Sequence, residues 1–286
     1  MTALNVSGLE FVEANMAYTA ALDGPARVRI FPPSSGLKSE APKREWVHVN
    51  VYDCRSISSE LTLDIAGFEL KNAPSQFTNF YDADAVRANY YAETANMLKR
   101  SVGAQAVFVF DHNVRNQPRA DRKEACVREP VEGAHNDYTL DSGPRRIREV
   151  LEENQASHLL GRRCALVNVW RPIRGPVQDH PIAVCDARST SQKDFISTEI
   201  QHFMEDDLEV PRLNGQIYSF QHSDAHRWFY VSDMQADEVM FLKCFDTATD
   251  GRACFTGHTG FKNPNCPENY IPRESIEART VVVFAE

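Results

Sequence analysis

The sequence predicts a mainly β protein with packed helices, folded as a double-stranded β-helix of jelly-roll, cupin-like form. Two observations carry this. Short apolar runs separated by turn-rich stretches recur from Ala165 to Phe284, the pattern of strands folded into a barrel or sandwich. Both segments with helical character, near 82–100 and 144–159, precede those runs, so they read as helices packed on one face of the β-structure. The chain has 286 residues and 42% hydrophobic residues, enough for one large domain with a real core. The expected organisation is a single domain over 1–286. Residues 1–45 are read as an N-terminal extension wrapping the surface, and 46–286 as the double-stranded β-helix core with flanking helices.

Taken in order, Phe31–Gly36 with Pro42 reads as a surface loop. Trp46–Tyr52 alternates as a strand does, with Ile65–Leu70 as its expected hairpin partner. A helix is expected from Asp82 to Arg100. Asp82 or Asp84 caps its start, Val86, Tyr90, Met97 and Leu98 line one face, and Gly103 ends it. Ala106–Phe110 is a continuous apolar run and hence a buried strand. A second helix fits Pro144 to Leu159. Strands follow at Ala165–Trp170, Ile182–Cys185, Gln216–Phe220, Arg227–Val231, Glu238–Lys243 and Ser275–Phe284.

Composition narrows the function classes. A net charge of −9 argues against a nucleic-acid surface, which needs a concentrated basic footprint. The seven cysteines are odd in number, widely spaced and without a CxxC pair, so a disulfide framework or structural zinc site is not expected. No stretch approaches 18 consecutive apolar residues, and the first residues lack a basic segment followed by an apolar one. The expectation is a cytoplasmic protein acting on a small molecule, with no nucleic-acid or membrane partner.

The chemistry points to His135-Asn-Asp137. On an extended strand, residues i and i+2 face the same side, so an imidazole and a carboxylate converge on one point. A distant histidine completes a 2-His-1-carboxylate facial triad, whose open positions suit Fe(II) and O2. The candidates are His222, His226 and His258. His258 is preferred because it lies well downstream and is flanked by Gly257 and, two residues on, Gly260. A dicarboxylate cosubstrate needs an arginine fork. Ser275, Glu277 and Arg279 share one face of the last strand, so Arg279 is the first choice for that anchor and Arg273 the second. The plain alternative is that one of these arginines pairs with Glu277 or Asp246. Tyr138, next to the motif, is a further candidate for cosubstrate or substrate contact. Arg171, Arg188, His226 and Arg227 suit a carboxylate-bearing substrate, and serve equally well in structural ion pairs such as one between Arg171 and Asp186. Asp111-His112 is a weaker polar candidate.

These residues sit in segments that together resemble the CmcJ/AsaB/NvfI-type hydroxylase/desaturase family. The segments are Asp53–Arg55, Gly67-Phe68, Gly103-Ala104, Val109–His112, His135–Thr139, Asn168–Ile173, Pro181–Ser189, His226–Trp228, Asp233-Met234 with Glu238, Phe245-Asp246, His258 and Arg273–Arg279. They run in order from about residue 45 to the C-terminus. The family usually has serine after the Phe-Asp pair, where this chain has Thr247. The resemblance implies a double-stranded β-helix, Fe(II) at His135, Asp137 and His258, and 2-oxoglutarate with O2. The implied activity is hydroxylation, desaturation or ring closure of a small metabolite, an amino acid for example, in secondary metabolism. Two other readings stay open at this point: an iron oxygenase that does not consume 2-oxoglutarate, and a cupin-like binding protein with a vestigial metal site.

Overall fold

The computed structural model describes residues 4–285. Its strands form two sheets. In spatial order the larger contains β1 (Phe11–Thr19), β3 (Arg44–Asp53), β12 (Trp228–Tyr230), β9 (Ile182–Cys185), β14 (His258–Gly260), β7 (His135–Asn136), β11 (Leu213–Phe220), β10 (Phe195–His202) and β2 (Ala26–Ile30). The smaller contains β4 (Phe68–Asn72), β13 (Glu238–Asp246), β8 (Cys164–Arg174), β15 (Glu274–Phe284), β5 (Ala104–Arg115) and β6 (Val127–Arg128).

The central strands of the smaller sheet are covered on both faces, which is why they read as continuous apolar runs. On one face Val86, Tyr90 and Leu98 pack against Val167, Val169, Phe241, Ile276 and Ala278. On the other, Leu166, Cys244, Val281 and Val283 pack with Ile147, Val150 and Leu151 of the helix Ser142–Glu153. The first helical segment starts where Asp82 accepts from the backbone N–H of Asp84 and Ala85, both at 3.0 Å. It runs through a π-turn at Val86–Tyr90 into Tyr91–Val102 and stops at Gly103, whose φ of 65° is left-handed.

Two expectations are corrected. Trp46–Tyr52 and Ile65–Leu70 are not a hairpin. β3 joins the larger sheet, and the 3-10 turn Arg55–Glu60 carries the chain across to the smaller sheet, where β4 pairs with β13. Nor is the segment before residue 45 only a wrapping. β1 pairs with β3 along its whole length and β2 with β10, so both outer strands of the larger sheet come from it. In β1, Val12, Ala14 and Met16 point inward, an alternation that small and polar neighbours obscure in the sequence. β10 was not anticipated either.

Candidate metal centre

The triad is assembled by pairing. β7 and β14 are antiparallel neighbours in the larger sheet, and His135 and His258 are direct cross-strand partners. Their rings stand 4.4 Å apart between centroids. Asp137, two residues past His135, lies on the same side with Oδ1 3.5 Å from His135 Nε2. One ligand atom from each of the three residues falls within 4.8 Å of the others. Gly257 and Gly260, on either side of His258, are each tightly packed against other neighbours. A Cβ on Gly260 meets the Val131 carbonyl oxygen at 2.9 Å and Arg273 Nη1 at 3.4 Å.

Each member is held for its role. His135 Nδ1 bonds the Gly133 carbonyl at 2.8 Å, which leaves Nε2 free to coordinate. Asp137 Oδ2 accepts from Asn168 Nδ2 at 2.8 Å. Burial alone raises the Asp137 pKa, but Arg279, His135 and His258 overcome it and hold the carboxyl well below its usual range. Burial, reinforced by His135, pushes His258 down to about 3, so its imidazole is neutral. His258 Nδ1 is buried without a hydrogen-bond partner among the described residues, an orphan that a metal ion can satisfy. Two imidazoles, a carboxylate held ionised and an orphaned ring nitrogen fit a divalent iron.

The same cavity is lined by Trp170, Ile182, Arg115, Arg273, Glu277 and Arg279. The two candidate anchors behave differently. Arg279 is drawn into carboxylates: Asp111 at 3.2 Å, Asp137 at 3.4 Å and Glu277 at 3.5 Å. Arg273 forms no ion pair among the described residues. It is 5% exposed, donates from Nε to Ser275 Oγ at 3.0 Å and from Nη1 to the His180 carbonyl at 2.8 Å, and lies over the Trp170 ring. Burial and the nearby Arg115 lower its pKa to about 9. A buried guanidinium with no counter-ion is a site for an anion.

The remaining candidates lie elsewhere. Tyr138 packs with Ile147, Leu166 and Val281 in the core and is not among the residues that line the cavity. Arg171 donates to Tyr90 Oη and to the carbonyls of Ala73 and Ala236. It does not pair with Asp186, whose partner is Arg188 at 2.8 Å. His226 is buried between Tyr18 Oη at 3.3 Å and Asp194 at 3.3 Å, and Arg227 caps the carbonyls of Asp224, Ala225 and His226. None of Arg171, Arg188, His226 and Arg227 is among the residues that line the metal cavity, and each makes the contacts just given. His112 is satisfied by Tyr91 Oη at 2.9 Å, and Asp246 pairs with Lys243 and Arg163. Sequence reasoning missed Asn168 as the donor to Asp137 and Arg115 as a cavity residue. Their signal was cross-strand register with β15, which no single segment displays.

A double-stranded β-helix with two imidazoles and a carboxylate facing a buried cation is the architecture of a mononuclear non-haem iron oxygenase. Comparison with known proteins narrows this. Residues 16–283 match the family described as "Oxidoreductase/YMDC permease-like domain". The hydroxylase/desaturase efuI of Hormonema carpetanum is 31% identical over 252 residues, covering 83% of this chain and 84% of that protein. The alpha-ketoglutarate-dependent dioxygenase phiK of a fungal species (strain ATCC 74256) is 30% identical, covering 82% and 83%. The fold matches the solved structure of the iron and alpha-ketoglutarate-dependent endoperoxidase NvfI with a TM-score of 0.83 at 23% identity, over 98% of this chain and 100% of that one. The chain belongs to the hydroxylase/desaturase family of non-haem Fe(II)/2-oxoglutarate oxygenases. Among the described residues no helix is long and apolar enough to cross a membrane.

Proposed function

We propose that this protein is an Fe(II)/2-oxoglutarate-dependent oxygenase that hydroxylates, desaturates or cyclises a small molecule in secondary metabolism, with iron held by His135, Asp137 and His258. The observation that carries the reading is the clustering of those three side chains within 4.8 Å, in one cavity with an unpaired, buried Arg273. When bound, iron with 2-oxoglutarate and O2 supplies C–H oxidation coupled to release of succinate and CO2. The chain's own residues do the rest. Gly133 and Asn168 orient His135 and Asp137. Arg273, steadied by Ser275 and stacked on Trp170, takes the far carboxylate of the cosubstrate, which reverses the order expected from the sequence. Arg279 stays on the ligand carboxylate. All seven cysteines are free thiols, which fits a reducing compartment such as the cytoplasm.

The test is succinate formation by protein reconstituted anaerobically with Fe(II), then given 2-oxoglutarate and O2. Wild type releases succinate and His258→Ala does not. Iron uptake with no 2-oxoglutarate binding would move the protein to a cosubstrate-free oxygenase, and failure to take up iron would leave a binding protein.

A further inference from the structure

The strand β5, beside the cavity, carries two donors that this function does not use. β15 crosses the cavity with Ser275, Glu277 and Arg279 facing inward, and β5 lies antiparallel beside it, with Arg115 opposite Ser275 and Asn113 opposite Glu277. Directly opposed residues of an antiparallel pair present their side chains to the same face. Arg115 accordingly lines the cavity with the triad. Its Nη1 donates to the Glu129 carbonyl at 2.8 Å, and among the described residues it forms no ion pair. Asn113 is 6% exposed, and its Nδ2 has no hydrogen-bond partner among the described residues. Native interiors rarely leave such a donor unmatched.

The cosubstrate accounts for neither donor. In the function proposed above, one carboxylate of 2-oxoglutarate goes to the metal and the other to Arg273 and Ser275. Arg279 is matched by Asp137, Glu277 and Asp111. Arg115 and Asn113 remain, two residues apart on one strand. Together they offer a planar cationic fork and a neutral N–H donor, a set that accepts a carboxylate and repels an amine.

We propose that Arg115 and Asn113 bind the carboxylate of the substrate, so that the substrate class is a small organic acid anchored by its carboxylate at the β5 side of the metal cavity. The inference rests on the proposed function. Arg115 pairs with the two carboxylate oxygens through its free N–H groups, and Asn113 Nδ2 supplies a further bond. The acid's carbon chain then extends toward His135, Asp137 and His258.

The test uses full-length protein loaded with redox-silent Mn(II) and saturated with 2-oxoglutarate. Matched pairs of acid and primary amide are titrated calorimetrically: butyrate and butyramide, benzoate and benzamide, phenylacetate and phenylacetamide. At least one acid binds wild type about tenfold or more tighter than its amide. Arg115→Gln and Asn113→Leu each remove that preference, while Arg115→Lys, which keeps the charge and tests folding, retains part of it. In parallel, 2-oxoglutarate affinity stays within about threefold of wild type in Arg115→Gln and falls more than about tenfold in Arg273→Gln. If no acid outbinds its amide in wild type, or the preference survives Arg115→Gln, the inference is overturned while the proposed function stands. Equal loss of 2-oxoglutarate binding in Arg115→Gln and Arg273→Gln also overturns it, by assigning Arg115 to the cosubstrate. A wild type that binds no 2-oxoglutarate defeats the proposed function itself, and this inference with it.

Discussion

The guanidinium of Arg279 lies against the carboxylate of Asp137, with Nε 3.4 Å from Oδ2. This places a permanent cation beside a residue proposed to bind a metal, an arrangement that looks counterproductive until the apo state is considered. Asp137 is 10% exposed by side chain; burial alone would raise its pKa, and Arg279, with the two histidines, reverses that and keeps it ionised. Arg279 is held in turn by Asp111 and Glu277, so it can stay when a metal arrives.

Removing that cation should therefore weaken the metal centre without touching a ligand. Arg279→Leu is expected to lower Mn(II) affinity at pH 7 by about 10- to 100-fold, the range for residues that orient or tune ligands. Arg279→Lys should recover part of the loss. Calorimetric titration of apo protein measures both. Unchanged affinity in Arg279→Leu would mean that the ion pair serves only the fold.

Asp137→Ala and His258→Ala each remove a donor from the centre. Both variants should lose metal binding and succinate release while keeping the fold, because Arg279 retains Asp111 and Glu277 and the His258 ring has no Nδ1 partner to strand. Far-UV circular dichroism and atomic absorption on the same samples separate the two effects. Turnover retained in Asp137→Ala would sink the ligand assignment.

The legibility of this protein in its sequence was uneven for physical reasons. β8, β13 and β15 announced themselves because both their faces are covered, which leaves apolar runs such as Ala165–Val167, Val239–Leu242 and Val281–Phe284. His135 and Asp137 were legible because strand alternation is local. The choice between Arg273 and Arg279 was not, because it turns on which arginine meets a carboxylate, and Asp137 and Asp111 reach Arg279 from other strands. The surroundings of Tyr138 were not legible either, because its neighbours Ile147, Leu166 and Val281 come from distant segments. Tyr138→Phe should accordingly leave the KM for 2-oxoglutarate unchanged, as steady-state succinate assays will read.

Asp179 supports Arg273 from behind, accepting its backbone N–H at 3.0 and 3.1 Å. Burial raises the Asp179 pKa, but bonds from His180 and the Arg273 backbone outweigh it, and the net direction is downward. A carboxyl whose folded pKa is depressed contributes stability that is complete above its unfolded value and lost as pH falls through the folded one. Asp179→Asn should thus melt below wild type at pH 7, with the gap closing only below about pH 4. It should also weaken 2-oxoglutarate binding, since the Arg273 turn loosens. A gap that is independent of pH would show that the charge of Asp179 contributes nothing.

Gly257 tests how tightly the triad is packed into the larger sheet. It immediately precedes His258, and a Cβ placed on it lies 2.3 Å from Phe220 Cζ and 2.6 Å from Cε1. Phe220 is fully buried among Trp228, Phe261 and Tyr230, so its ring has nowhere to retreat without moving that cluster. Gly257→Ala should cost about 1–3 kcal/mol in denaturant unfolding, the range for overpacking a filled core. Because the strain falls on the residue next to His258, metal affinity should drop in the same variant. Trimming the ring by Phe220→Leu in the Gly257→Ala background should restore part of both. A restored stability with metal affinity still low would mean that the glycine is needed for the backbone path into His258, and that ring contact is the lesser constraint.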